Sequence, residues 1–187
     1  MKTMVTYLML AGLGMLLSCT KESSPVPGKG DFLGTETITL PFEAKYVGRD
    51  QNFGTKSLSD CGPEYKHVSE NADGSGSFVG VSTYHSDFCF RILDLLPGSS
   101  YITAANGDIL YISYEGKTCV GLNVKDNDNS HPDEICCWQV PFTILGGTGM
   151  FEKATGGGTT DDYLSSVGNL FIHNWKGTLT LLKDNFK

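Results

Sequence analysis

Apolar and polar residues alternate in short runs along most of the chain beyond residue 35. Residues 36–47 show the pattern most clearly, because apolar side chains occupy every second position from Ile38 to Tyr46. A period of two predicts a half-buried β-strand. Pro41 has no N–H to donate to a neighbouring strand, so we expect this strand to lie at a sheet edge or to bulge there.

Turn-forming residues separate the apolar runs that follow. Residues 106–107 are Asn-Gly, which favours a hairpin with a type I′ turn. We expect a loop over 48–76 with one short extended piece at 65–68, and a helical turn only at 161–165. The runs that predict further strands are 77–85, 88–95, 109–120, 134–145 and 167–183, the last splitting near His173. About seven or eight strands at this spacing predict an all-β domain, an antiparallel barrel or a sandwich.

One predicted strand is apolar on both faces. Leu110, Ile112 and Tyr114 share one face, and Ile109 and Tyr111 share the other. A closed barrel buries only its inner face, so an apolar outer face predicts contact with another copy of the chain and hence a homo-oligomer.

Residues 1–18 have the pattern of a signal peptide, with a lysine near the start, an apolar stretch, and Leu16 and Ser18 placed before Cys19 as in a lipoprotein cleavage site. An apolar helix of about 14 residues spans only about 21 Å, short of the roughly 30 Å bilayer core, which argues against a transmembrane anchor. We predict a polar tether over 19–34, attached to a membrane by lipid such as palmitate on Cys19, and one domain over 35–187. Thr20 rather than Asp follows Cys19, which predicts the outer membrane of a bacterial cell envelope.

The chain is acidic, with a formal net charge of -7 and an isoelectric point near 5.0. No cluster of lysine and arginine is present to neutralise phosphates, which argues against a nucleic-acid partner.

Five of the six cysteines remain once Cys19 carries lipid. In an oxidising envelope, this number predicts up to two disulfides and one free thiol. A hairpin centred near residue 128 places Cys119 opposite Cys136 or Cys137. We take Cys119–Cys137 and Cys61–Cys89 as the predicted pairs. Zinc is disfavoured because Cys136 and Cys137 are adjacent and have no matching His pair.

Glycines surround one aromatic residue after the strand predicted at 134–145. The pattern Gly147-Thr148-Gly149-x-Phe151-x-x-Ala154-x-Gly156-x-Gly158 resembles the signature of the allene oxide cyclase and dirigent-like barrels. Residues 105–108, Ala-Asn-Gly-Asp, are similar to a hairpin of bacterial members. The residue types fit a structural role, since glycine accepts positive φ in sharp turns and close strand packing. No Gly-Lys-Ser or Gly-Lys-Thr follows, which disfavours a phosphate cradle, and we expect no cofactor.

This resemblance implies an antiparallel barrel of about eight strands whose interior holds a small, mostly apolar molecule. Plant members act on fatty-acid epoxides or steer phenoxy-radical coupling, and many are trimers. Their catalytic residues cannot be placed on this chain, because the strands that carry them diverge. An isomerase or cyclase activity would therefore rest on the fold alone.

Several side chains are candidates for a ligand site, although aromatics more often form core and charged residues more often form surface pairs. The candidate ligand-binding residues are Tyr46, Tyr84, Arg91, Tyr111, Glu115 and Trp138. A calcium loop is a further candidate, with oxygen ligands at Asp126, Asp128, Ser130 and Glu134. It lacks the central glycine, and these residue types are more typical of a solvated hairpin tip.

The sequence leaves three functions open. The first is a non-catalytic, lipid-anchored barrel that binds a small apolar or amphipathic molecule or serves as an interaction module. The second is a cyclase or isomerase that uses the same cavity. The third is carbohydrate binding by exposed aromatics. No short hydrolase motif is present.

Overall fold

The computed structural model describes residues 36–50, 61–91, 94–120 and 131–186. These residues form eleven β-strands and two short 3₁₀ turns, at Gly149–Phe151 and Lys183–Phe186. The strands are β1 Thr37–Asp50, β2 Lys66–Gly76, β3 Gly80–Arg91, β4 Asp94–Ala104, β5 Ile109–Gly116, β6 Thr118–Val120, β7 Glu134–Trp138, β8 Pro141–Gly147, β9 Thr155–Thr160, β10 Asp162–Ser165 and β11 Leu170–Leu182. Among the described residues, no helix has the length and apolar character needed to cross a bilayer.

Eight of these strands close into an antiparallel barrel in the order β1-β2-β3-β4-β5-β8-β9-β11, and β11 pairs back onto β1. The closing ladder is long, running from Thr37 opposite Leu182 to Gly48 opposite Phe171. The predicted all-β fold, an antiparallel barrel of about eight strands, is confirmed.

Three short strands branch from the barrel wall. The start of β11 pairs with β10, β10 pairs with β7, and β7 pairs with β6. We call β6, β7 and β10 the flap. The rest of β11, from Trp175 to Thr180, pairs with β9 in the barrel. Strand β11 therefore belongs to both parts, and the chain passes from barrel to flap between β9 and β10.

Three expectations about secondary structure were wrong. The predicted loop over 48–76 contains β2, whose inward positions are Val68, Glu70 and Ala72. Because Glu70 is charged and Ala72 is small, the sequence shows no clear alternation of apolar and polar residues there. The predicted break at His173 does not occur, because His173 occupies an inward position of an unbroken β11. The helical turn expected at 161–165 is strand β10.

Other boundaries also differ from expectation. Runs 109–120 and 134–145 each divide into two strands. Strand β4 continues beyond the predicted run 88–95 through Pro97-Gly98, with a register shift there. The expectation for Pro41 is confirmed, since β1 pairs with β2 only from Ala44 onward and Pro41 lies at the free edge. The hairpin at 106–107 forms, but only Gly107 has positive φ, so the turn is not type I′.

The two sequence elements that carried the family resemblance meet in space. Asp108 accepts hydrogen bonds from the backbone N–H of Met150 and from the Asn106 side chain, each at 3.0 Å. The Ile109 N–H donates to the Thr148 hydroxyl at 2.8 Å. Phe151 is fully buried beneath this contact. The glycine motif therefore clamps the turn after β8 onto the β4–β5 hairpin.

The other motif positions also have structural roles. A Cβ on Gly147 would lie 2.0 Å from the carbonyl oxygen of Ile109, and one on Gly158 would lie 2.0 Å from that of Lys176. Gly149 and Gly156 have positive φ, and Ala154 is buried. The motif is built for close backbone packing.

The disulfide Cys61–Cys89 is confirmed. Cys137 is also disulfide-bonded, and its register partner in β6 is Cys119; the pairing Cys119–Cys137 stays a prediction. Cys136 is a free thiol, and burial raises its pKa to about 11. The predicted signal peptide, the tether with Cys19, and Asp126, Asp128 and Ser130 lie outside the described residues.

Candidate functional site in the barrel interior

A cavity lies inside the barrel, next to the junction with the flap. Its volume is about 320 Å³ when open solvent at its mouth is included, and about 20 Å³ of that space can hold the centre of a water molecule. Its wall is almost entirely apolar, and five of its ten lining residues are Phe, Tyr or Trp. The lining residues are Tyr84, Phe88, Leu95, Tyr114, Trp138, Val140, Thr160, Asp162, Phe171 and His173.

A buried histidine between two carboxylates forms the polar end of the cavity. His173 Nε2 lies 2.9 Å from Glu70 Oε1, and His173 Nδ1 lies 2.8 Å from Asp162 Oδ2. A carboxylate oxygen accepts at each ring nitrogen, so both nitrogens donate and the ring is an imidazolium. Burial lowers the pKa of His173, but the charges of Glu70 and Asp162 outweigh that effect and raise it to about 10. We call these three residues the carboxylate–histidine cluster.

Asp162 is held by several donors besides His173. The Trp175 indole N–H lies 2.9 Å and 3.1 Å from its two oxygens, and the Asn174 backbone N–H lies 3.2 Å from Oδ1. Burial raises the pKa of Asp162, whereas the His173 charge and these hydrogen bonds oppose the rise. Asp162 therefore has a fixed orientation at the cavity wall.

Glu70 lies behind His173 and is fully buried. Its Oε2 accepts no hydrogen bond from the described residues. A Cβ on residue 48 would lie only 2.5 Å from Glu70 Oε1, so glycine at this position leaves room for the carboxylate.

Three hydroxyl groups form a second polar feature, which we call the hydroxyl cluster: Tyr84, Ser86 and Tyr114. Ser86 and Tyr114 share a short hydrogen bond, and Tyr84 also bonds within the group. Burial raises the pKa of both tyrosines well above the usual value near 10. These hydroxyls are therefore neutral at physiological pH.

Aromatic rings pack around the cavity in contact with one another. The Trp138 ring is stacked on Phe171 at 5.7 Å and meets Phe88 edge-on at 6.3 Å, and Phe88 lies 6.1 Å from Tyr114. Trp138 comes from the flap, so the flap supplies part of the wall. Its buried indole N–H has no partner among the described residues.

The structure brings two of the predicted ligand-binding residues to the cavity, Tyr84 and Trp138. Tyr46 is buried beside it, with its ring 5.5 Å from that of Tyr84 and its hydroxyl 2.9 Å from Ser82. Burial raises the pKa of Tyr46 to about 12. Tyr46 packs against the cavity wall without lining the cavity.

The other three predicted residues lie outside the cavity, which corrects the expectation for them. Tyr111 and Glu115 are exposed, because inward positions of β5 are Leu110, Ile112 and Tyr114. Arg91 is partly exposed near the end of β3, where it bonds Glu64 at 2.7 Å and lies over the Tyr65 ring.

Of the predicted calcium ligands, only Glu134 lies in the described part of the chain, and it is half-buried. Burial raises its pKa, which disfavours the ionised form that a metal needs. Within the described ranges, no group of three or more His, Cys, Asp or Glu side chains is arranged to hold a metal ion.

Sequence reasoning missed Glu70, Asp162 and His173. One signal was present, because His173 falls on the same parity as Phe171 and Trp175 in an alternating apolar run. A titratable residue at an inward strand position indicates a buried polar site.

No family model and no curated protein sequence matches the chain significantly. A solved structure of a pterocarpan synthase dirigent protein is similar to it over 88% of this chain and 99% of that chain, with 14% sequence identity and a TM-score of 0.40. At this identity and score, the likeness says nothing about a ligand or an activity of this chain. Membership of the allene oxide cyclase and dirigent-like superfamily stays a prediction.

Proposed function

We propose that this protein is a lipid-anchored binding protein of the cell envelope that holds a small apolar or amphipathic molecule inside its barrel. The observation that carries the proposal is the cavity itself, which has an aromatic wall and one charged end. Binding sites for small molecules commonly combine an apolar lining with a few polar groups that fix orientation.

The state of His173 favours binding over proton-transfer catalysis. A general base works best when its pKa lies near the operating pH and a ring nitrogen is free. Both ring nitrogens of His173 are occupied by carboxylates, and its pKa is raised to about 10. His173 is therefore an imidazolium at neutral pH and cannot accept a proton there.

The second candidate is a cyclase or isomerase that uses the same cavity. Asp162 favours it, because this carboxyl lines the cavity and burial raises its pKa. Turnover of an unsaturated epoxide that is lost in Asp162→Asn, while the variant keeps its fold, would select this candidate.

The binding proposal is tested by native mass spectrometry of the purified protein, prepared without detergent, beside a denatured sample. We expect a small molecule that is released on unfolding. Leu95→Phe adds bulk to the cavity wall and should remove that mass, whereas Leu145→Phe, at an exposed outer position, should keep it. A molecule retained in Leu95→Phe and lost in Leu145→Phe would contradict binding in the cavity.

The lipid anchor is tested separately by metabolic labelling with palmitate and by membrane fractionation. We expect label on the wild-type chain in the outer-membrane fraction and no label on Cys19→Ser. Label that persists in Cys19→Ser, or a wild-type chain found without label in the periplasm, would contradict the anchor.

A further inference from the structure

We propose that the outer wall of the barrel, across strands β3, β4, β5 and β8, binds a neutral polysaccharide. This second site lies on the solvent side of strands whose inner faces form the core. The inference goes beyond the proposed function, because its ligand is separate from any molecule held in the cavity.

A row of aromatic side chains crosses the outer wall from strand to strand. His85 in β3 is the register partner of Tyr101 in β4, and Tyr101 is the register partner of Tyr111 in β5. Tyr111 pairs in turn with Gly146 in β8, where Leu145 lies beside that glycine at a register shift. The rings of His85 and Tyr101 lie 5.0 Å apart. We call His85, Tyr101 and Tyr111 the aromatic row.

The aromatic row is open to solvent and held in place. Tyr101 is 38% exposed, Tyr111 is 42% exposed, and Leu145 at the end of the row is 61% exposed. His85 is fixed by a hydrogen bond of 2.9 Å between its Nδ1 and Asn71 Oδ1. A single exposed apolar residue is ordinary, but exposed rings in register on neighbouring strands form a continuous patch, and such patches mark binding surfaces.

A row of hydroxyl groups runs beside the aromatic row. Ser99 in β4, Ser113 in β5 and Thr143 in β8 are register partners of one another. Each lies two positions along its strand from a member of the patch, so it shares the outer face. A pyranose sugar has an apolar C–H face and a rim of hydroxyl groups. Its face packs on an aromatic ring while its rim exchanges hydrogen bonds with serine and threonine.

The charges and edges of these strands exclude other polymers. Strand β8 contains no charged residue, and β4 and β5 contain charged residues only at their ends. A nucleic acid needs lysine or arginine to neutralise its phosphates. A peptide that binds as an added strand needs a free sheet edge, whereas β3, β4, β5 and β8 are each paired on both sides. An uncharged sugar chain needs neither feature.

The size of the patch favours a sugar chain over a second copy of the protein. Four strands about 4.8 Å apart and five residues of about 3.3 Å each give roughly 300 Å². A stable protein interface buries about 800 Å² on each partner. The outer wall of a barrel is also convex and cannot enclose a small molecule. A chain that makes several shallow contacts in succession suits this surface.

The test is affinity electrophoresis of the purified protein in native gels at neutral pH. The gels contain hydroxyethylcellulose, xylan or galactomannan as neutral polymers, or polygalacturonate as a charged one. We expect at least one neutral polymer to retard the protein and polygalacturonate to leave its migration unchanged. No retardation by any of the three neutral polymers, or retardation by polygalacturonate that is equally strong, would overturn the inference.

Variants of the aromatic row show whether the binding occurs there. Tyr101→Ser combined with Tyr111→Ser removes two rings at exposed positions and should weaken the binding at least about tenfold, with an unchanged circular dichroism spectrum. The corresponding double change to Phe keeps the rings and should keep most of the binding. Val47→Ser, at an exposed apolar position of β1, is the matched control and should bind like the wild type.

Two results with these variants would contradict the assignment. The first is a folded double serine variant that is retarded as strongly as the wild type. The second is a wild-type protein that elutes as a dimer in size-exclusion chromatography and that the double serine change converts to a monomer, since the face would then join two copies. The small molecule in the native mass spectrum is unaffected by either result, because the cavity lies on the inner side of the wall.

Discussion

Raising the pH should destabilise this protein well before its tyrosines ionise, because the fold depends on a protonated His173. The ring is buried between Glu70 and Asp162, and its pKa rises from 6.5 to about 10 on folding. A group whose pKa is higher in the folded state contributes stability that is fully present below the unfolded pKa. That contribution is lost as the pH rises through the folded pKa.

The size of the effect follows from the pKa difference. Each pKa unit corresponds to about 1.4 kcal/mol, so the full contribution of His173 is about 5 kcal/mol. Between the two pKa values, the free energy of unfolding falls by about 1.4 kcal/mol for each pH unit. From pH 6.5 to pH 9, we therefore expect a loss of about 3 kcal/mol, a large share of the stability of an ordinary domain.

The pH range of this measurement ends at pH 9 because other buried groups ionise above it. Burial raises the pKa of Cys136 to about 11 and that of Tyr46 to about 12, so both groups increasingly destabilise the fold as they ionise in the unfolded chain near and above pH 9. Urea denaturation followed by circular dichroism, repeated at intervals from pH 6.5 to 9, therefore reports chiefly the contribution of His173.

Two variants separate the cluster from general charge effects. Glu70→Gln removes one of the two carboxylates that raise the pKa of His173, so the fall in stability should be complete at a lower pH. His85→Gln removes a histidine that contacts Tyr101 and Asn71 away from the cavity, and its pH dependence should match that of the wild type. A wild-type stability that is flat from pH 6.5 to 9, or a dependence unchanged in Glu70→Gln, would refute the reasoning.

Three further predictions concern the frame around the cavity. Gly156→Ala should lower the free energy of unfolding by more than about 3 kcal/mol, because its Cβ would lie 2.1 Å from the Thr178 carbonyl oxygen and the residue has a φ of +138°. In the control Gly107→Ala the new Cβ meets open space, and the loss should be about 1 kcal/mol. Thermal denaturation compares the two variants, and equal losses would contradict the packing argument. Removing the disulfide with Cys61→Ala and Cys89→Ala together should cost about 3–4 kcal/mol in urea denaturation, because the bond closes a loop across 28 residues; a loss under about 1 kcal/mol would contradict it. Asp108→Ala should cost about 1–3 kcal/mol by leaving the Met150 N–H without its acceptor, while Asp73→Ala, at an exposed position of β2, should change stability by less than about 0.5 kcal/mol.

The barrel was predictable from the sequence because its strands follow a simple period. β1 alternates strictly, so its existence and the edge position of Pro41 were both expected, although the strand runs to Asp50, three residues beyond its predicted end. The hairpin after β4 was expected from Asn106-Gly107. The Cys61–Cys89 bond came from counting, since two cysteines remained once Cys119 had been assigned a partner. These features depend on neighbouring residues, which a sequence displays directly.

The cavity was harder to predict because its polar residues break the hydrophobic period that reveals strands. Glu70 sits at an inward position of β2, and this strand was expected to be loop. His173 sits at an inward position of β11 and was expected to mark a break. Arg91, Tyr111 and Glu115 were predicted as ligand-binding residues from their side-chain chemistry. Their outward positions in β5, or the position of Arg91 at the end of β3, keep them outside the cavity. Parity decides which face a residue occupies more reliably than its chemistry does.

The position of the carboxylate–histidine cluster follows from the branch in the sheet. The chain leaves the barrel wall at the end of β9 and enters the flap at Asp162, and this crossing is fixed to β11 by the Asp161 N–H, which donates to the Asn174 carbonyl at 2.8 Å. Asp162 is thereby placed against His173 at the one strand that barrel and flap share. The flap also supplies Trp138 to the wall. A variant that loosens the flap should therefore disturb the aromatic wall and the orientation of Asp162 together, whereas one confined to the glycine motif should change stability without changing ligand preference.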